Sequence, residues 1–301
     1  MASEALGTEQ GPPSKKAKTE TLSFPADDAI KLENHLPPIG YKVEYSSPKR
    51  GYGKPFVTLT FATSLDSALS LAPGVRTVLS GPESKAMTHY LRSRHAAICV
   101  GVGTAIADDP GLNCRLGSSP LPGPVHQPRP IVIDPQARWA FTEDANVLQL
   151  SRSGQGLAPF ILISCSLSMD DPELAARRTL LERHGGKYIP IESTAEDGSG
   201  PGGRFTWDAI LEAVSKEGLQ TIMIEGGGQI INSLLSSPDN KELIDSVMVT
   251  IAPTWLGQGG VVVSPPRTTG VDGKPFTPIR LTETLWHPLG EDVVLCGKIQ
   301  R

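Results

Sequence analysis

The stretch TIMIEGGGQIINSLL, residues 221–235, decides the fold class. Thr221 to Ile224 form a short apolar run of the kind found in strands buried on both faces. Glu225 ends the run, Gly226, Gly227 and Gly228 follow, and residues 229–236 have helical spacing. Strand, tight turn and helix in that order is the repeating unit of an α/β sheet. Two readings of the glycines stand side by side. They can serve only the sterics of a sharp turn. They can also bring backbone N–H groups up to an anion at the start of the helix, where those groups have no intrahelical partner. The pattern is neither G-x-G-x-x-G nor a Walker A loop. Glu225 stands at a strand end, where open α/β sheets place their ligands.

Outward from this segment the same alternation recurs. FVTLTFAT (56–63), AAICVG (96–101), residues 131–134, 160–164 and 188–191 read as strands. Helices are predicted over 83–94, 171–184, 206–216 and 229–236, with Gly185-Gly186 and Gly218 as stops. Residues 245–252 and 292–299 read as late strands. The expected fold is α/β, a mainly parallel central sheet flanked by helices with an antiparallel C-terminal finish. Residues 199–204 read as a glycine-rich loop. Two long proline-rich loops, 117–130 and 254–278, read as lids or insertions, the first rather as an insertion.

Three further segments carry polar groups at strand or helix ends. CVGVGTAIADDPGLNCR (99–115) reads as strand, glycines and a polar turn. Thr104 is a helix cap or a ligand-facing hydroxyl, Asp108 a turn residue or a ligand contact, and Arg115 a surface residue or a phosphate grip. FATSLDSALS (61–70) offers the small Ala62 beside Ser64 and Asp66. SGPESKAMTHYLRSR (80–94) ends in Arg92 and Arg94, which suit the C-terminal end of a helix.

Composition narrows the class. The chain has 301 residues, 39% of them hydrophobic, enough for a core without staples, and its net charge is −4. That charge argues against a nucleic-acid binder relying on a basic surface. No run approaches membrane-spanning length. The four cysteines form no C-x-x-C pair, so no metal site is expected. Reduced thiols and no visible export signal point to a cytoplasmic protein. Residues 1–50 are expected to be a disordered or arm-like extension before a domain spanning 51–301. Lys15, Lys16 and Lys18 read as part of a solvated tail in preference to a nuclear-import signal.

Taken together and in order, ATSLD (62–66), LR (91–92), VGVGTAIADDPGLNCR (100–115) and IEGGG (224–228) resemble the riboflavin-pathway reductases, most closely their fungal form. The resemblance spans residues 55–299 and implies a dihydrofolate-reductase-like fold. It also implies NADPH as cofactor, with a hydride passing to C1′ of an opened ribose on a small phosphorylated pyrimidine. It places Ala62, Thr104, Asp108, Gly226, Gly227, Gly228, Gln229 and Ile230 on cofactor-contacting positions. Arg92, Leu112, Arg115 and Glu225 fall on substrate-contacting ones. Asp66 and Glu225 are the candidate proton donors, and a homodimer is expected. Relatives commonly carry Gly after the S-L-D motif, where this chain has Ser67. No zinc-deaminase motif is present. The competing readings are a pterin or dihydrofolate-type reductase of the same fold, whose substrate offers no phosphate to Arg92 and Arg115, and a non-catalytic nucleotide-binding protein.

Overall fold

The computed structural model describes residues 20–42, 53–194, 203–266 and 278–300. In chain order the helices and strands are α1 (Ala26–Leu32), β1 (Phe56–Thr63), β2 (Ala68–Ser70), α2 (Pro82–Ser93), β3 (Ala97–Gly101), α3 (Val102–Asp108), β4 (Arg129–Ile133), α4 (Asn146–Arg152), β5 (Phe160–Ser164), α5 (Pro172–Arg183), β6 (Lys187–Ile191), α6 (Trp207–Lys216), β7 (Thr221–Gly226), α7 (Gly228–Ser236), α8 (Pro238–Lys241), β8 (Ser246–Ile251), β9 (Val261–Val262), β10 (Leu281–Leu289) and β11 (Asp292–Ile299). The main sheet has the order β10-β11-β8-β1-β7-β3-β4-β5-β6, and β2 pairs with β9 in a separate ribbon. From β8 to β6 every pairing is parallel. The edge made by β11 and β10 is antiparallel.

The alternation of side chains along each strand builds a core on both faces. On one face Val57, Leu59, Cys99, Ile131, Ile222 and Ile224 pack under Ile210, Leu211, Val214, Ile231 and Leu234 of α6 and α7. On the other face Ile98, Val132, Ile161 and Ile163 meet α3, α4 and α5, while Met223, Met248 and Cys296 meet α1 and α2. Leu59, Ile98, Ile131, Ile161 and Leu162 are fully buried. Each contributes roughly 1.5–3 kcal/mol relative to exposure. This double burial is why these strands read as unbroken apolar runs.

Chain order places the site. After β1 the chain lays down β3, β4, β5 and β6 outward, then returns to insert β7 between β1 and β3. The helix after β3 packs on one face and the helix after β7 on the other. The two connections diverge and open a crevice at the strand ends.

Several expectations need correction. Residues 102–108 form the helix α3 and not a turn; Asp109 ends it in the left-handed region, at φ 39°. The strand β10 went unread because Thr282, Glu283, Thr284 and Pro288 break its apolar pattern. Such residues are tolerated on an edge strand, where one row of N–H groups needs no partner strand. The loop 117–130 is stitched down rather than loosely inserted: Gln127 accepts from the Cys114 N–H at 2.9 Å and donates to the Cys114 carbonyl at 2.8 Å. Leu121 and Val125 pack against the core beneath it. Phe24, Ala29, Leu32 and Leu36 pack with α2 as the arm-like alternative expects, while Ile30 is exposed. Residues 1–19, with Lys15, Lys16 and Lys18, and residues 199–202 of the glycine-rich loop lie outside the described residues.

Candidate active site

At the end of β7 the backbone needs glycine twice. Gly226 has φ +74° and Gly227 φ +155° with ψ 158°, the latter a region essentially closed to L side chains. Gly228 has a packing reason: a Cβ there would meet Val261 Cγ1 at 2.3 Å. The sterics of the turn therefore account for all three glycines, and the anion reading does not follow from their number alone. What the turn does create is the start of the nine-residue helix α7, whose first N–H groups lack intrahelical partners. Thr104 reaches this turn from α3. Its hydroxyl donates to the Gly226 carbonyl at 3.2 Å, so Thr104 is no helix cap but a clasp between the two strand ends. Ile230 packs against Gly101, where a Cβ would meet its Cγ1 at 2.9 Å. Ala62 lies near the end of β1, opposite Thr250 of β8. Gln229 is exposed, and Asp108 closes α3 on the same rim.

Glu225 sits on a register irregularity. Cys99 pairs with Ile224 and Val100 with Gly226, so Glu225 is the extra residue on β7. Bulges of this kind re-aim a side chain at a functional edge. Met223, two residues earlier, faces α2, and so does Glu225. Arg92 of α2 meets it in a fork: Nε donates to Oε1 and Nη2 to Oε2, both at 2.7 Å. Arg92 Nη1 also donates to the Asn113 carbonyl at 3.0 Å. Their side chains are 15% and 19% exposed, so the pair borders the crevice without being sealed. Burial opposes the Arg92 charge, and Glu225 more than offsets that, leaving the guanidinium more basic than usual. The sequence treated the two residues as separate contacts. The structure joins them, and three of the five Arg92 N–H groups are already committed.

Arg115 lies beside α2 as well. Its backbone N lies 3.1 Å from His89 Nδ1, and its Nε and Nη2 lie 3.2 and 3.0 Å from His89 Nε2. Among the described residues no carboxylate lies within ion-pair distance of Arg115. Lys85 pairs with Glu20 at 3.1 Å one turn earlier on α2. The Leu22 N–H donates to the Arg115 carbonyl at 2.9 Å, so the N-terminal segment borders this cationic row.

Two assignments do not fit their places. Asp66 accepts from the Ser64 hydroxyl and from the N–H groups of Leu256, at 3.1 Å, and Gly257, at 2.7 Å. These bonds, the Ser64 hydroxyl foremost, lower its pKa to about 2. Asp66 anchors the 254–257 turn, and its lowered pKa argues against a role as proton donor. The Leu112 side chain is buried in the core under α3 and α4, so it offers no side-chain contact to the crevice. The residue replacing the relatives' Gly keeps the turn: Ser67 adopts φ 62° and its N–H bonds the Ser64 carbonyl at 3.1 Å. Sequence reasoning also passed over His89. Its spacing three residues before Arg92 on one helix face was the available signal.

A mainly parallel sheet with a switch point, a glycine turn on one side and a cationic row on the other describe an α/β protein of the dihydrofolate-reductase-like kind. Residues 55–295 match the model of the RibD C-terminal domain, and the chain belongs to that family. A relative from Debaryomyces hansenii, named 2,5-diamino-6-ribosylamino-4(3H)-pyrimidinone 5′-phosphate reductase, is 37% identical over 254 residues, covering 84% of this chain and 92% of its own. The protein of that name from Saccharomyces cerevisiae is 35% identical over 270 residues, covering 89% and 93%. The solved riboflavin biosynthesis reductase Rib7 of Saccharomyces superposes with a TM-score of 0.65 at 30% identity, over 91% of this chain and all of that one. RibD of Acinetobacter baumannii, at 22% identity and TM-score 0.60, shares the fold over 83% of this chain and 59% of its own.

Proposed function

We propose that this chain reduces 2,5-diamino-6-ribosylamino-4(3H)-pyrimidinone 5′-phosphate to its ribitylamino form, with NADPH as the reductant, in riboflavin biosynthesis. The observation that carries the reading is one juxtaposition. The glycine turn clasped by Thr104 and the row Glu225–Arg92–Arg115 flank the same strand end. The turn sets the first N–H groups of α7 beside Thr104 at the strand end, a place that suits a pyrophosphate. Ala62, Thr104, Asp108 and residues 226–230 hold the cofactor in this reading, which supplies a hydride when bound.

The chain's own residues orient the other partner. In its ring-opened form the substrate has C1′ doubly bonded to nitrogen. The hydride adds to C1′, the π pair becomes the nitrogen lone pair, and that nitrogen takes up a proton. The C1′–N bond is kept, and the hydride would be supplied by the bound nicotinamide cofactor. Glu225, with both oxygens fixed by Arg92, retains lone pairs for the amino-bearing edge of the pyrimidinone. Arg115, which lacks a carboxylate partner among the described residues, takes the 5′-phosphate. The exposed edge of β10, with Trp286 59% exposed, supports a homodimer, and four free thiols support a reducing cytoplasm.

The test follows absorbance at 340 nm with purified protein. Turnover is expected with NADPH and the phosphorylated substrate, and little with the dephosphorylated one. Turnover of dihydrofolate instead would favour the pterin reading, and equal rates with and without the phosphate would remove Arg115 from its role.

A further inference from the structure

We propose that His89 is a positioning residue that holds the Arg115 guanidinium, which has no carboxylate within ion-pair distance among the described residues, toward the substrate phosphate. This rests on the reading of Arg115 given above. His89 is 3% exposed, on the face of α2 that carries Arg92. Three contacts tie it to the segment bearing Arg115. The Cys114 thiol donates to the His89 carbonyl at 3.2 Å, the Arg115 N–H reaches Nδ1, and the Arg115 guanidinium reaches Nε2.

The chemistry of the ring gives this arrangement its consequence. A neutral imidazole has one lone pair and one N–H. Arg115 presents donors to both nitrogens, so the ring satisfies one set and leaves the other short. Protonation would remove the remaining lone pair, and burial first, then the charges of Arg92, Arg115 and Lys85, keep the ring neutral. A carboxylate at this position would neutralise Arg115 and compete with an anion. A neutral ring fixes the guanidinium's direction while leaving its charge unspent. Glu225 does the opposite for Arg92, whose fork it fills. The two arginines thus have different offices: Arg92 orients a carboxylate, and Arg115 waits for an anion. The lone pair is assigned to the guanidinium, where the ion–dipole attraction is stronger than to a backbone amide.

The test compares His89→Leu, His89→Gln and Arg115→Ala in the full chain. His89→Leu keeps bulk and removes the acceptor. It is expected to raise KM for the phosphorylated substrate tenfold or more, with kcat and NADPH affinity within twofold of the parent. His89→Gln places a neutral oxygen near the position of Nε2 and is expected to restore KM to within about threefold. If His89→Leu leaves KM unchanged while Arg115→Ala raises it, the role of His89 is wrong and that of Arg115 stands. If Arg115→Ala also leaves KM unchanged, the phosphate reading itself falls. Equal losses of kcat, NADPH affinity and KM in both His89 variants would mark a purely structural residue and overturn the proposal. Should His89→Leu not fold, His89→Asn replaces it. Its carbonyl reaches only as far as Nδ1, so KM is expected to rise above that of His89→Gln, and equal values would overturn the proposal.

Discussion

Gly227→Ala perturbs the cofactor side at its most constrained point. At φ +155° and ψ 158° an alanine is strained whatever the space around it, at about 1–3 kcal/mol. Its Cβ would also stand 2.8 Å from Thr104 Oγ1, inside van der Waals contact. Thr104 must then rotate away and give up its bond to the Gly226 carbonyl, a further loss of about 1 kcal/mol. A total of roughly 2–4 kcal/mol corresponds to a fall in melting temperature of the order of 5–15 °C for a domain of this size. Restoring the glycine geometry is also the condition for the helix N–H groups to meet a pyrophosphate, so NADPH affinity is expected to fall at least tenfold, about 1.4 kcal/mol. Thermal melts followed by circular dichroism and a fluorescence titration with NADPH measure the two effects. Gly227→Ala combined with Thr104→Ala removes the contact but not the strain, and is expected to add little further loss to the single variant. A Gly227→Ala protein that melts and binds NADPH like the parent would refute both the conformational argument and the cradle.

Ser67 occupies the left-handed region at φ 62° where a glycine is free of strain, and Ser67→Gly is expected to stabilise by about 0.5–1 kcal/mol in urea unfolding; a lower midpoint would contradict this. Asp66 is held near pH 2 against 3.8 by its hydroxyl and backbone donors, so its stabilisation is whole above pH 3.8 and is lost as pH falls toward 2. Asp66→Asn should accordingly melt below the parent at neutral pH, with the gap closing in strong acid and with kcat largely kept; a collapse of kcat in a folded Asp66→Asn would reinstate Asp66 as the acid. His95 donates from Nδ1 to the Leu91 carbonyl and accepts from the Thr58 hydroxyl, each at 2.7 Å, and burial holds its pKa near 4 against 6.5. The unfolded chain therefore binds that proton first, and stability present above pH 6.5 declines toward pH 4 by up to ~1.4 kcal/mol per pH unit. His95→Gln is expected to flatten this slope in denaturant titrations across that range, and an unchanged slope would show that His95 does not contribute to it.

The site was legible where local chemistry is enough. The glycine turn and Glu225 stand at the end of a run whose composition identifies it as a strand, whereas Thr104 and Arg115 fall in a segment that reads as a turn. A strand end in an α/β sheet is a ligand position whatever the rest of the chain does. The unread parts depend on partners distant in sequence. Asp66 reads as an acid because a carboxylate beside a turn looks available; the Ser64 hydroxyl that most lowers its pKa is local, but the two amides that add to it belong to residues 256 and 257.

The sequence by itself determined the alternation of buried strands and amphipathic helices, because periodicity and burial are local consequences of backbone geometry. Tertiary structure alone decided that Arg92 belongs to Glu225, 133 residues away, and that Arg115 meets a neutral histidine. It decided too that β10 is a strand, through its pairing with β11. The physical reason is the same in each case. Charge pairing and edge-strand hydrogen bonding are properties of two surfaces brought together, and the crossover that inserts β7 between β1 and β3 brings distant segments to a common strand end.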